Sequence, residues 1–272
     1  MDAHRTDELL RLEHVVITDR DSGNVLADDV SLSLRQGQCL GIVGESGSGK
    51  TLLCRAIMGL LPASLRADGH IFLEGTDMLH APAPLVRRVR GLGISAILQQ
   101  AMTAFDPLYT IGAQLREIFR EKLSLTPGQA DMEAAAALRG VNLPESVLQS
   151  YPHQLSGGML QRCMIAVSLA LRSRLVIADE PTTALDAHNQ YAVLERLARM
   201  RRHGTALILV SHDLGAVQML ADRVMVLCKG ICVEEGSAAD IFHAPRHDYT
   251  RHLVRTRLAL TRAFERLVGR QA

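Results

Sequence analysis

Gly44-Glu45-Ser46-Gly47-Ser48-Gly49-Lys50-Thr51 is the stretch that decides the fold of this chain. It fits the phosphate-binding loop G-x-x-x-x-G-K-[ST], and its flanks fit as well. The apolar run Cys39 to Val43 precedes it as a strand, and Lys50 to Met58 follows it with helical patterning. The glycines let successive backbone N–H groups turn into one concavity, an anion nest. The helix start adds partial positive charge. In this arrangement Lys50 reaches the β- and γ-phosphates and Thr51 ligates Mg²⁺. A chance glycine-rich turn would lack both the strand before it and the helix after it.

Working outward, short apolar strands alternate with helices. Leu10 to Thr18, Ser31 to Leu34, His70 to Leu73, Ser95 to Leu98, Leu175 to Ala178, Ala206 to Val210, Val224 to Cys228 and Ile231 to Glu235 have strand character. Met159 to Leu171, His188 to Arg201 and Gly215 to Leu220 have helical character. Continuous apolar strands separated by helices imply βαβ units around a sheet buried on both faces. The middle differs. From about Thr110 to Val147 the pattern is helical, with Ile111 to Leu123 and Asp131 to Leu138 as candidate helices. Thr126, Pro127, Gly128 and Pro144 are expected to break that insertion into short pieces. A tail after about Ala239 is expected to carry a last helix, His247 to Leu267. Each motif occurs once.

Composition narrows the function classes. The chain has 272 residues, 47% of them apolar, yet no run approaches the roughly 18 apolar residues of a membrane span. With 30 Lys and Arg against 29 Asp and Glu, the formal charge of +1 gives no whole-surface pull toward nucleic acid. Aromatics at 3%, with no Trp, also argue against a stacking platform for single strands. No nucleic-acid partner is expected. The cysteines Cys39, Cys54, Cys163, Cys228 and Cys232 are scattered, without a CxxC pair. They read as small apolar residues in a reducing compartment rather than a disulfide or zinc framework. The polar start MDAHRTDELL has no signal-peptide core, so a cytoplasmic chain is expected.

Two further motifs carry chemistry. Leu175-Val176-Ile177-Ala178-Asp179-Glu180 is an apolar strand ending in adjacent carboxylates. Sites in open α/β sheets lie at the carboxyl ends of strands. Asp179 there suits Mg²⁺, and Glu180 suits the polarisation of an attacking water. Taken alone, the pair could equally be an acidic helix start. In Leu155-Ser156-Gly157-Gly158-Met159-Leu160-Gln161-Arg162, two glycines open a helix behind the natural N-cap Ser156, a second anion site. Two phosphate-binding elements in one chain make sense if two chains meet head to tail.

LSGGMLQR, together with GESGSGKT, LVIADE and His212, resembles the ATP-binding cassette of ABC transporters over about Leu10 to Ile241. The resemblance implies an α/β P-loop NTPase (RecA-like) nucleotide-binding domain with a helical insertion and a short C-terminal helical tail. The boundaries it implies are a cassette over 1–240, with the insertion at about 101–160, and a tail over 241–272. It implies an ATPase that uses ATP and Mg²⁺. Gln99 resembles the Q-loop glutamine, a Mg²⁺ and γ-phosphate sensor, although Gln100 beside it competes for the assignment. Asp186, in Ala184-Leu185-Asp186, resembles the loop that touches the opposite subunit. His212 resembles the switch histidine, although a histidine after a strand can also be merely a cap. The implied partners are membrane permease subunits, a second ATPase subunit (like or unlike) and an extracytoplasmic substrate-binding protein. The implied location is the cytoplasmic face of the bacterial inner membrane.

Met102 to Thr110 and Ala244 to Thr250 resemble the peptide/nickel importer subfamily. The chain shows no longer cysteine-containing tail of the peptide importers, and SGGMLQR is closest to the nickel-import ATPases. Nickel, a metal–metallophore complex or peptides are the implied cargo. A soluble ATPase of a complex such as carbon–phosphorus lyase is the alternative. One departure concerns adenine. Cassettes place an aromatic near the end of the first strand, but Leu10 to Asp29 holds none, so weak adenine recognition near Asp19 is expected. Among the tail histidines His243, His247 and His252, a spacing of four on one helix would align His243 with His247 as a metal pair, but two histidines without further ligands rarely make a site, and the subfamily tail already accounts for His247.

Overall fold

The structure is a computed structural model that describes residues 8–99, 101–183, 185 and 187–256, apart from the side chains of Ala187 and His188. It divides into two compact units, Met1–Ala81 with Ile208–Ala272, and Pro82–Leu207.

The first unit opens with β1 (Glu8–Asp19), β2 (Val25–Arg35) and β3 (Cys39–Val43), followed by α1 (Lys50–Ile57). β4 (Leu65–Leu73) and β5 (Thr76–Asp77) form a hairpin. β1, β2, β4 and β5 build an antiparallel sheet in the order β2-β1-β4-β5. Its inward residues, among them Leu10, Leu12, Ile17 and Leu34, are fully buried. The unit's C-terminal part holds α7 (Leu214–Leu220), β9 (Arg223–Cys228), β10 (Ile231–Ser237) and α8 (Ala238–His243), then a helical segment, 248–256. β3 pairs in parallel with β9, and β9 antiparallel with β10. All five residues of β3 are buried, as the continuous apolar run requires of a strand covered on both faces. Asp222 pins its start by accepting the Cys39 N–H at 2.8 Å.

The second unit contains α2 (Ala83–Val89), β6 (Ile94–Ile97), α3 (Ile111–Leu123), α4 (Pro127–Arg139), α5 (Gly157–Leu171), β7 (Leu175–Asp179) and α6 (Ala187–Arg202). β6 and β7 run parallel, with Ile97 opposite Ala178. The division between the units falls within β8 (Ala206–Val210), whose order in the sheet places it beside β3. Phe119, Leu115 and Leu138 bury the facing sides of α3 and α4.

Several expectations need correction. The expected break does fall here, between α3 and α4, but Thr126-Pro127 also starts the next helix. The Thr126 hydroxyl accepts the Gln129 N–H, the Gln129 side chain accepts the Thr126 N–H, and Pro127 fills a position that needs no N–H. α4 is therefore longer than the alanine-rich core suggests. β2 and β4 extend well beyond their apolar stretches, because their outer residues alternate toward solvent. α2, β5 and α8 are too short to show a period. The tail histidines do not share one helix. α8 ends at His243, the chain breaks at Ala244, and the next helix begins at 248. The His247 ring instead accepts the Tyr249 N–H at 3.2 Å. The part of the expected tail helix beyond 256 lies outside the described residues, as do Gln100, Ala184 and Asp186.

Candidate functional site

In the first unit the phosphate loop runs from β3 into α1. Gly44 and Ser48 are buried, while Glu45, Ser46 and Gly47 are exposed. Gly47 and Gly49 have φ of 80° and 95°, in the left-handed region where glycine is favoured. Gly49 is the N-cap of α1, and no side chain caps the helix, which leaves its first N–H groups suited to an anion. The Lys50 ammonium folds over the loop, donating to Gly44 O at 3.0 Å, Glu45 O at 2.7 Å and Ser48 Oγ at 3.2 Å. A cation already held among loop carbonyls is placed to shift onto phosphate oxygens. Thr51 follows in the first turn of α1 and is half-buried.

Two other residues of this unit bear on the reading of the loop, His212 and Tyr249. His212 follows β8, and it is exposed. It does not cap α7. That role belongs to Asp213, whose carboxylate accepts the Gly215 and Ala216 N–H groups. The contact that Tyr249 makes was not legible in the sequence. The Tyr249 hydroxyl accepts the Glu45 N–H at 3.0 Å, tying the tail helix to the phosphate loop across 204 positions. The tail is held in turn by Glu234 of β10, whose carboxylate accepts the Arg246 and His247 N–H groups at 2.7 and 3.0 Å.

Asp19 ends β1, and its carboxylate is occupied by its own turn. It accepts the Asp21 N–H, the Ser22 N–H and the Ser22 hydroxyl at 2.8–3.0 Å. Thr18, Asp19, Arg20, Gly23 and Arg66 line a shallow cleft of about 330 Å³ there, without an aromatic among them.

In the second unit, parallel pairing brings Gln99, just past β6, to the same end as Asp179 and Glu180 at the close of β7. Gln99 is exposed. Asp179 and Glu180 are 3% and 9% exposed, unusual for adjacent carboxylates that have no structural need to be buried. Glu180 has φ 52°, a left-handed conformation that costs a side-chain-bearing residue about 1–2 kcal/mol. The Thr183 hydroxyl donates to its Oε2 at 3.1 Å and fixes the carboxylate. Such strain concentrates where a side chain must be aimed.

Gln161, which the motif reading passed over, binds these parts together. Fully buried on α5, it donates from Nε2 to Pro181 O at 3.1 Å and to Leu98 O at 3.4 Å. One amide thus braces the loops that carry Glu180 and Gln99. A turn earlier, Ser156 caps α5 by accepting the Met159 N–H at 3.3 Å. Ser156 and Gly157 are exposed, and no described atom lies within 4 Å of where a Gly157 side chain would begin. This second helix start is open to an incoming anion or chain.

Comparison with known proteins agrees with this arrangement. The ABC transporter family model matches residues 27–183. The metal-staphylopine import system ATP-binding protein CntD of Staphylococcus aureus is 40% identical over 263 residues, covering 96% of this chain and 97% of that one. The oligopeptide transport ATP-binding protein OppD of Escherichia coli is 39% identical over 251 residues, covering 90% and 74%. Among solved structures, a dimeric ATP-binding cassette in a post-hydrolysis state with ADP and Pi superposes with a TM-score of 0.77 at 24% identity, over 84% of this chain and 98% of that one. At that identity the likeness speaks for the fold. With a matched family, full-length relatives and a strand–loop–helix built to hold phosphate, the chain belongs to the ABC transporter family, as an ATPase subunit of the metal-staphylopine and peptide importer branch.

Proposed function

We propose that the chain couples ATP binding and hydrolysis to the import of a metal chelate or a peptide through a membrane permease. The supporting observation is the phosphate loop, with the Lys50 ammonium held at 2.7–3.0 Å on two loop carbonyls and α1 lacking a side-chain cap. Gly44, Glu45, Ser46, Gly47, Ser48, Gly49, Lys50 and Thr51 bind the phosphates of ATP. The donors present also fit Mg²⁺, a hard cation that takes oxygen ligands. Thr51, Gln99 and Asp179 would hold it, and when bound it neutralises phosphate charge. Glu180 orients the attacking water, and its buried, strained placement favours a fixed aim. His212 holds the γ-phosphate as charge develops there. Catalysis is then mostly positioning and charge stabilisation.

Ser156, Gly157 and Gly158 at the exposed start of α5, with Asp186, serve the nucleotide bound by a second cassette. The proposed assembly is a pair of such subunits, like or unlike, on permease subunits supplied by an extracytoplasmic binding protein. It sits at the cytoplasmic face of a bacterial inner membrane. Among the described residues no helix is long and apolar enough to cross a membrane, which suits attachment through partners. The proposed organisation is a cassette over 1–240, with its helical insertion at about 101–160, and a tail over 241–272. The carbon–phosphorus lyase alternative is not favoured, since CntD and OppD are import and transport proteins by name.

Glu180→Gln tests the reading. The variant is expected to keep ATP affinity and to lose turnover by about 10²-fold or more, as for removal of a general base. It should also trap an ATP-bound dimer visible by gel filtration. Turnover within twofold of wild type would remove Glu180 from the role. Co-purification of permease subunits from detergent-solubilised membranes tests the partners.

A further inference from the structure

The β4–β5 hairpin carries a cluster outside every nucleotide motif. Its two-residue turn, Glu74-Gly75, has φ of 50° and 78°, the signs of a type I′ hairpin turn. That turn sets the register in which Phe72 faces Asp77. Strand alternation puts His70 on the same face as Phe72, so Asp77 is its diagonal neighbour across the ladder. Beyond Asp77 the chain doubles back. The Leu79 N–H donates to Asp77 Oδ1 at 3.1 Å and the Ala81 N–H to Asp77 O at 2.8 Å, which returns His80 to the same carboxylate. Both imidazoles then converge on one oxygen: His70 Nδ1 is 2.7 Å and His80 Nδ1 is 2.9 Å from Asp77 Oδ2. The two rings lie 5.1 Å apart, and His70 stacks on Phe72 at 5.6 Å with 10° between planes.

We propose that His70, Asp77 and His80 form a binding site for a borderline divalent transition-metal ion, of the class of Zn²⁺, Ni²⁺, Co²⁺ and Cu²⁺. The donor set is the first argument. Two imidazoles and one carboxylate suit these ions, whereas Mg²⁺ and Ca²⁺ prefer oxygen. Convergence is the second. One donor atom from each residue lies within 4.8 Å of the others, and among the described residues no other group of three His, Cys, Asp or Glu does so. Pre-organisation is the third. The Asp77 side chain is only 19% exposed and is fixed by a backbone N–H, while the imidazoles are 53% and 58% exposed. The carboxylate is held still, the rings can adjust, and solvent can fill the remaining coordination positions. Charge is the fourth. Partial burial pushes Asp77 up, but hydrogen bonds from His70, His80 and the Leu79 N–H more than offset it and hold the acid below the usual carboxylate value. An ionised carboxylate oxygen only accepts, so in this geometry each Nδ1 facing Asp77 is the donor.

The ion takes the place of those protons. Ligands at 2.0–2.1 Å around a tetrahedral ion stand about 3.3 Å apart. The His–Asp distances must therefore widen by about half an ångström, which small ring rotations supply. Binding breaks two N–H···O bonds and forms two metal–nitrogen bonds and one metal–oxygen bond; each Nδ1 proton leaves and the bare Nε2 of the same neutral ring takes one up from solvent, so the proton count is unchanged. The inference stands independently of the ATPase reading.

The test uses the full-length protein, chelator-stripped and free of nucleotide, titrated with Zn²⁺ in competition with a chromophoric indicator. His70→Ala/His80→Ala is expected to lose one equivalent of bound Zn²⁺. Asp77→Asn should weaken that equivalent by about tenfold or more. His243→Ala/His247→Ala should retain it. A second measurement needs no variant. Zn²⁺ should protect His70 and His80 from carbethoxylation in wild-type protein, read by peptide mass mapping. The proposal fails if wild type and the double variant bind equal numbers of ions with equal affinity. It fails equally if saturating Zn²⁺ leaves both histidines fully reactive.

Discussion

Gly44 and Gly47 stand three residues apart in one loop, and substituting each with alanine separates the two reasons a phosphate loop needs glycine. A Cβ on Gly44 would stand 2.2 Å from Leu227 O and 2.7 Å from Ser48 Oγ. Leu227 belongs to β9, which is hydrogen-bonded to strands on both sides, so its carbonyl cannot step back. Gly44→Ala is thus an overpacking change against backbone, at about 3 kcal/mol. At about 2 °C per kcal/mol for a chain of this size, the melting temperature should fall by about 6 °C. A Cβ on Gly47 would meet no described atom within 4 Å, but φ there is 80°. Only the left-handed penalty applies, about 1–2 kcal/mol, or a fall of about 2–4 °C. The ranking inverts for ligand. In the proposed function the phosphates fill the space beside Gly47, so Gly47→Ala should fold yet lose at least about tenfold in ATP affinity, about 1.4 kcal/mol. Thermal melts of the nucleotide-free proteins and titration with a fluorescent ATP analogue read the two quantities. A Gly44→Ala protein that melts within 1 °C of wild type, or a Gly47→Ala protein that binds ATP normally, would refute the reasoning.

Two further outcomes follow from the electrostatics. Burial pushes Glu234 up, and the Thr250 hydroxyl with the Arg246 and His247 N–H groups more than offsets it, so its folded-state value lies below the ordinary 4.5. A carboxyl depressed on folding stabilises fully above its unfolded value and loses that contribution as pH falls through the folded one. Hydrogen-exchange protection of the Arg246 and His247 amides should therefore hold at pH 6 and be lost, as acid below pH 4.5 protonates Glu234, before the central strands open; protection that lasts until those strands open would contradict this. The five cysteines are free thiols; Cys39, Cys54 and Cys163 are buried. Burial pushes Cys163 up to about 12 and Cys232 up to about 11, where a nearby Glu235 carboxylate adds to the effect. At pH 8 only about a thousandth of Cys232 is thiolate, so a disulfide reagent should titrate at most one thiol quickly in native protein and five in denaturant. Two or more fast thiols in the native state would overturn it.

The strands that carry chemistry were legible because burial on both faces leaves an unbroken apolar run. β3 and β8 match their expected bounds residue for residue, and β7 differs only by including Asp179. What the sequence hides is long-range. No local pattern says that Tyr249 answers the Glu45 N–H, or that His80 returns to the carboxylate His70 already shares. In the tail, a spacing of four between His243 and His247 would suit a metal pair only on a continuous helix face. Ala244 breaks that helix, and the histidines that do converge are ten positions apart across a hairpin. Short elements such as β5 escape for the opposite reason. Two residues cannot display a period, and only pairing with β4 defines them.

Gln161 has a consequence of its own. Its amide carries two hydrogens, and the carbonyls of Leu98 and Pro181 engage that one nitrogen from two different loops. It therefore acts as a coincidence detector. Both contacts form together only while the ends of β6 and β7 keep their present register, and a slip of either loop registers at the same turn of α5. A displacement of the backbone at Leu98, next to Gln99, would stretch a bond on the same nitrogen that holds the Pro181 carbonyl beside Glu180.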